Sequence, residues 1–250
     1  MAPAIVLAAV GGLLVGSFLN VVAWRLPRGE SLVSPGSRCP GCGAPIRPYD
    51  NVPVLSWLLL RGRCRQCGTR VSARYPLVEL ATALLYVAVV LGRDGARDIV
   101  LGLLLVTVLV PVAIIDFEHR IIPNRITLPA AIAAIVAGVI LDPGFVPEQV
   151  IAGVGGGGFF LLAALAYPRG MGMGDVKLAA VLGLYLGRAA ASAILIGLVA
   201  GLVVGIGVIA VKGVKEGRKT AVPFGPFLAL GGVIALVAGN ALVDAYLDTF

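Results

Sequence analysis

Charge is what this sequence has least of. Only 13% of its 250 residues are Asp, Glu, Lys or Arg, against roughly a quarter in soluble domains. Its mean hydropathy is +1.00, which excludes an ordinary water-soluble globule. The two-residue alternation of a β-barrel is missing as well. Long apolar runs recur instead, so the expected fold is all-α, a polytopic membrane protein. Only Met-Ala-Pro-Ala, with no basic residue, precedes the first run. A cleaved signal peptide is therefore not expected, and the first segment is predicted to be a retained helix. No repeat of fixed period is present. His119 is the single histidine. It is placed as an exposed interfacial side chain, and a Ser-His mechanism has nothing else to build on.

The runs predict about eight transmembrane helices, near 5–23, 77–91, 99–115, 127–141, 150–167, 176–186, 190–211 and 226–246. Lys and Arg mark their orientation. Arg25, Arg28, Arg38, Arg47, Arg61, Arg63, Arg65, Arg70 and Arg74 lie in the first loop. Arg120, Arg125, Arg169, Lys177, Lys212, Lys215, Arg218 and Lys219 fall on the same side. Only Arg93, Arg97 and Arg188 fall opposite, so 17 basic residues against 3 make the first side cytoplasmic. The basic stretches at Arg169 and Lys212 are then on one face, which requires two crossings between them. The first crossing is short, about 18 Å of helix against a core of about 30 Å. Asp175, at its cytoplasmic end, is expected below the headgroups. "GVGGGG", Gly153–Gly158, marks close helix contact of the kind small residues allow in membranes.

All four cysteines fall in the polar loop 24–76, as Cys39-Pro-Gly-Cys42 and Cys64-Arg-Gln-Cys67, with 21 residues between the pairs. Two such knuckles can close a tetrahedral, structural Zn²⁺ site. Two disulfides are the alternative, opposed by the cytoplasmic placement. A redox pair would not explain two copies.

Acidic residues near the cytoplasmic face are few: Asp116 and Glu118 after the third span, Asp175 before the sixth, Glu79 opening the second, Asp50 and Glu30 in the loop, and Glu216 among lysines. Asp116 and Asp175 can meet, and paired carboxylates can share a proton. One then activates water while the other polarises a carbonyl. Two plainer readings stay open at this point: Asp175 as a helix cap, and Asp116 as an ion pair with Arg120 four residues on.

Several blocks, in order, resemble the bacterial type IV prepilin peptidases. They are "GSFLNVVAWRLPRGES" from Gly16, "CPGC" from Cys39, "YDNVPVLSWLLLRGRCRQC" from Tyr49 and "RYPLVEL" from Arg74. "IIDFEHRIIPNRITLP" from Ile114 and "GMGDVKLAAVLG" from Gly172 complete the set. The likeness spans most of residues 16–185; beyond Gly187 only hydropathy matches. Asn124 stands where the family carries an aspartate. The resemblance implies a G-x-G-D intramembrane aspartyl protease of the bacterial inner membrane. Such an enzyme cuts the basic leader of prepilins and pseudopilins after a glycine, with its active site facing the cytoplasm. It places the catalytic pair on Asp116 and Asp175. It also implies methylation of the new amino terminus with S-adenosylmethionine, as in members with a long cysteine-bearing loop. No Rossmann-type glycine loop is present, so no residue is singled out for the methyl donor.

The expected organisation is therefore a first helix, 1–23, a zinc-bearing cytoplasmic loop between helices 1 and 2, 24–76, as candidate methyl-transfer region, and a protease bundle, 77–250. Gly172 and Gly174 are expected to bend the backbone before Asp175 and let a substrate approach. Lys177 either tunes the local charge or snorkels. The arginine-rich loop is assigned to anionic lipid headgroups, with no nucleic-acid partner. A proton-coupled transporter would instead place its acids near the midplane and often show a repeat. A non-catalytic assembly subunit would tolerate loss of both aspartates.

Overall fold

The computed structural model describes residues 1–167, 171–213 and 222–247. Arg169, Lys215, Glu216, Arg218 and Lys219, four of which bear on the orientation argument, lie outside the described residues. The chain divides into two compact units, Met1–Leu91 and Gly92–Phe250.

In the first unit, α1 (Ala2–Arg25) and α3 (Arg74–Gly92) flank the polar loop, which contains the short α2 (Leu55–Leu59). Small residues let α1 and α3 touch. A Cβ on Gly12 would lie 2.5 Å from the Ala83 Cα, and one on Gly16 2.8 Å from the Glu79 Cα. Among the described residues there is no β-strand, only the isolated bridges Arg38–Pro45 and Arg63–Arg70.

The second unit contains α4 (Ala96–His119), α5 (Asn124–Leu141), α6 (Val146–Ala166), α7 (Met173–Leu186), α8 (Ala190–Lys212) and α9 (Gly225–Leu247). Its core is apolar and dense: Leu105, Val112, Ile115, Phe160, Leu178 and Leu182 are fully buried. The glycine-rich stretch does face a neighbour, through three of its members. Gly153, Gly156 and Gly157 lie against Leu184, Ala179 and Ala180 of α7, while Gly155 and Gly158 face open space. From the other side, a Cβ on Gly183 would be only 2.3 Å from the Ala152 carbonyl oxygen. Gly183→Ala is therefore expected to destabilise the bundle by about 1–3 kcal/mol. Thermal unfolding in detergent checks this.

Six helical runs are long and apolar enough to cross a membrane among the described residues, the last being Met173–Lys212; Gly225–Gly239 is a shorter apolar helix. The expectation of eight counted Met173–Lys212 as two crossings. The run is broken at Gly187, which has φ +55° and is followed by the turn Gly187–Ala189. Glu148 of α6 holds the break by accepting the Arg188 N–H at 2.8 Å. Most helices outrun their predicted apolar windows, because hydrogen-bonded turns continue into polar residues. Two of these extensions bear on the site. α4 runs on to His119, so Asp116 lies within the helix rather than after it. α7 begins at Met173, so Asp175 sits inside its first turn.

Candidate active site

α4, α7 and α9 bring Asp116, Asp175 and Gly225 to one end of the second unit. Asp116 is on the last turns of α4 and is 6% exposed. The helix stops one turn later, where Arg120 takes a left-handed conformation and its N–H closes on the Asp116 carbonyl at 2.8 Å. The Arg120 charge acts on the Asp116 carboxylate, whose hydrogen bond lies elsewhere. Its Oδ2 accepts the backbone N–H of Gly225, the first residue of α9, at 2.8 Å. A Cβ at Gly225 would lie 2.7 Å from that oxygen and 3.1 Å from Cγ. Only glycine fits while the bond is kept.

Asp175 is the third helical residue of α7 and half-buried. Its Oδ2 accepts the Gly172 N–H at 3.3 Å, and its own N–H donates to the Gly172 carbonyl at 3.1 Å. The capping reading thus describes one oxygen of the carboxylate. Its charge and that of Asp116 act on one another across the site.

The bend expected at the glycines is absent. Gly172 has φ −83° and ψ 146°, ordinary extended backbone, and Gly174 lies inside α7. Smallness at Gly174 answers instead to Ile122, whose Cβ would be 2.9 Å from a Gly174 Cβ. Lys177 reaches α5, where its Nζ donates to Asn124 Oδ1 at 2.8 Å. The amide thus serves as acceptor at the position where the resembling family has an aspartate.

The four cysteines meet in the first unit. Each C-x-x-C is a tight turn closed by matching bonds: Gly43 N–H to Cys39 O at 2.8 Å, and Gly68 N–H to Cys64 O at 3.0 Å. Both glycines have φ +70°, where a side chain would be strained. All four thiols are free, and their sulfurs lie within 4.8 Å of one another. Cys39 and Cys67 sulfurs are 3.7 Å apart. Zn–S bonds of about 2.3 Å give a tetrahedral edge of about 3.8 Å. The donor set therefore fits zinc.

The neighbouring thiols are shifted in opposite directions. The Thr69 hydroxyl and backbone bring the Cys67 thiol down to about 6. The Ala44 N–H favours the Cys42 thiolate, but the proton it shares with Cys67 and the charge of Cys39 push it up to about 11. Four thiolates repel unless a dication joins them. Beside the cluster, Arg65 clasps Asp50 through bonds of 2.7 to 3.0 Å and holds that carboxyl below its usual range.

The sequence singled out the aspartates and cysteines that lie together here, but not Gly225. The signal was present as Gly225-Pro226 opening the last apolar run, the kind of helix start that leaves a free N–H.

Known proteins resemble the chain over most of its length. Residues 10–92 match the bacterial peptidase A24 N-terminal domain, and residues 103–206 match the type IV leader peptidase family. A prepilin leader peptidase/N-methyltransferase of Aeromonas salmonicida is 36% identical over 95% of this chain and 91% of its own length. One of Neisseria gonorrhoeae is 38% identical over 96% and 92%. The type 4 prepilin-like proteins leader peptide-processing enzyme of Escherichia coli is 36% identical over 92% and 93%. No solved structure matches the chain. A paired-carboxylate site in an all-helical bundle, a four-cysteine loop and relatives alike over nearly their whole length lead to one conclusion: the chain belongs to the type IV leader peptidase family.

Proposed function

We propose that Asp116 and Asp175 are the catalytic dyad of a prepilin leader peptidase, and that the cysteine-bearing unit serves methyl transfer to the product. Membership of the family makes the chain an enzyme that removes type IV prepilin leaders and methylates the new amino terminus. The observation that carries the dyad assignment is the pair itself: two carboxylates from α4 and α7, each with one oxygen fixed by a backbone N–H. In the reaction the ionised carboxylate takes a proton from water as the oxygen attacks the peptide carbonyl. The protonated one donates to the carbonyl oxygen, giving a tetrahedral intermediate. Collapse breaks the C–N bond and delivers a proton to the leaving amine. Gly225 keeps Asp116 in place without touching substrate.

Gly172 and Gly174 belong to the substrate's approach in this reading, since neither presents a side chain beside Asp175. The protein resides in the bacterial inner membrane with the dyad facing the cytoplasm, and the arginines of 24–76 rest on anionic headgroups. Incubating purified protein with a prepilin and a labelled methyl donor tests the whole reading. Cleavage after the leader glycine and label on the new amino terminus are expected. Intact prepilin would overturn the protease assignment, and cut but unlabelled pilin the methyl-transfer assignment.

Cys39, Cys42, Cys64 and Cys67 would hold one structural Zn²⁺, which closes the loop and leaves no open position for chemistry. Elemental analysis of reduced protein is expected to find about one zinc per chain. Cys39→Ser with Cys42→Ser is expected to remove it, expose the loop to limited proteolysis and lower methylation more than cleavage. Equal loss of the two activities would refute this division.

A further inference from the structure

Two contacts bracket Asp175, and both come from the short stretch that joins α4 to α5. α4 ends at His119 and α5 starts at Asn124, so only residues 120–123 lie between them. The chain leaves α4 sharply. Arg120 has φ +55°, a backbone conformation that residues other than glycine seldom adopt. Its N–H is tied back to the Asp116 carbonyl. Four residues span at most about 14 Å, which leaves little slack between the two helices. Whatever holds Ile122 and Asn124 therefore also restrains the turn that carries Asp116.

The far end of this stretch rests on α7. Gly174 and Lys177 are three positions apart, so they share one face of that helix. Gly174 lies against Ile122, whose Cβ would be only 2.9 Å from a Cβ placed there. Lys177 donates from Nζ to Asn124 Oδ1 at 2.8 Å. Asn124 opens α5, so this bond joins the start of one helix to the first turns of another. Asp175 is two positions from Lys177 and points to a different side of α7. Its Oδ2 is taken by the Gly172 N–H. The lysine thus grips the turn that carries Asp175 while its own bond goes to α5.

We propose that Lys177 is a positioning residue of the dyad: through Asn124 it fastens the end of α4 and the start of α5 to α7, and so sets the spacing of Asp116 and Asp175. The proposal rests on the dyad reading above and adds the strap that holds the two helix ends in register. Both carboxylates must reach one water and one peptide carbonyl at hydrogen-bonding distance. A misplacement of about 1 Å can cost about a hundredfold in rate. The apolar contact of Ile122 on Gly174 limits approach but fixes no direction. A hydrogen bond does both, because it weakens steeply with distance and angle. An amide oxygen serves here as a carboxylate oxygen would, since only the acceptor is required.

Initial rates of prepilin cleavage by the full-length protein, measured over a range of substrate concentrations, test this. Lys177→Met keeps the stem and loses the donor. It is expected to lower kcat about tenfold, with KM and melting temperature close to wild type. Asn124→Leu loses the acceptor at similar size and should do the same, and the double variant should be no slower than either single one. Asn124→Asp keeps an acceptor and is expected to retain a kcat close to wild type. Four results would each overturn the strap: wild-type kcat in Lys177→Met and Asn124→Leu, a loss confined to KM, a loss matched by a fall in melting temperature, or losses that multiply in the double variant. An equal loss in Asn124→Asp overturns it too. Cleavage that survives Asp116→Asn overturns the dyad reading instead.

Discussion

Asp116→Asn and Asp175→Asn are each expected to slow leader cleavage by about two to four orders of magnitude while the protein still inserts and folds. Asparagine keeps the size and the acceptor oxygen, so the Gly225 N–H on Asp116 Oδ2 and the Gly172 N–H on Asp175 Oδ2 can persist. What disappears is the capacity to take up or give back a proton. The two substitutions together should cost little more than either alone, because the dyad acts as a unit. Glu118→Gln serves as the comparison, since its carboxylate is exposed on the last turn of α4 and should change cleavage far less. The measurement is the initial rate of prepilin processing in detergent or liposomes. Near wild-type processing by either aspartate variant would refute the assignment. The rival of a non-catalytic assembly subunit makes the opposite forecast, tolerance of both changes.

Gly225→Ala is expected to produce the second large loss, about one to two orders of magnitude in kcat with KM little changed. The added methyl would sit 2.7 Å from Asp116 Oδ2, inside contact distance. The carboxylate must then rotate away and give up its backbone donor. A hydrogen bond to a charged group is worth about 1.5–3 kcal/mol, and each 1.36 kcal/mol is tenfold in rate. The split between kcat and KM separates this from a packing defect, as does thermal stability close to wild type. Equal loss of stability and activity would mean that Gly225 merely packs α9 against α4.

Much of the site was legible in one dimension. Apolar run length located the helices, because a helix must cross about 30 Å of hydrocarbon with its backbone bonds satisfied internally. The scarcity of acids left Asp116 and Asp175 as the natural pair. Knuckle spacing picked out the cysteines, because two C-x-x-C turns each present two thiolates locally. The ends were less legible, because helical hydrogen bonding continues past the last apolar residue. For that reason Asp116 and Asp175 lie within helices although hydropathy placed them just outside.

The sequence alone therefore determined the class of protein, the two acids and the four thiols, since each depends on composition or on residues close along the chain. Only the tertiary structure decided what holds them and what else lines the sites. Gly225 meets Asp116 across 109 positions, and Val54 meets Glu79 across 25. A side chain at Gly174 would meet Ile122, 52 positions away. A hydrogen bond acts over about 3 Å, a distance that helix packing sets. Whether two remote residues come that close depends on which glycines let which helices touch, and on where each helix starts and stops.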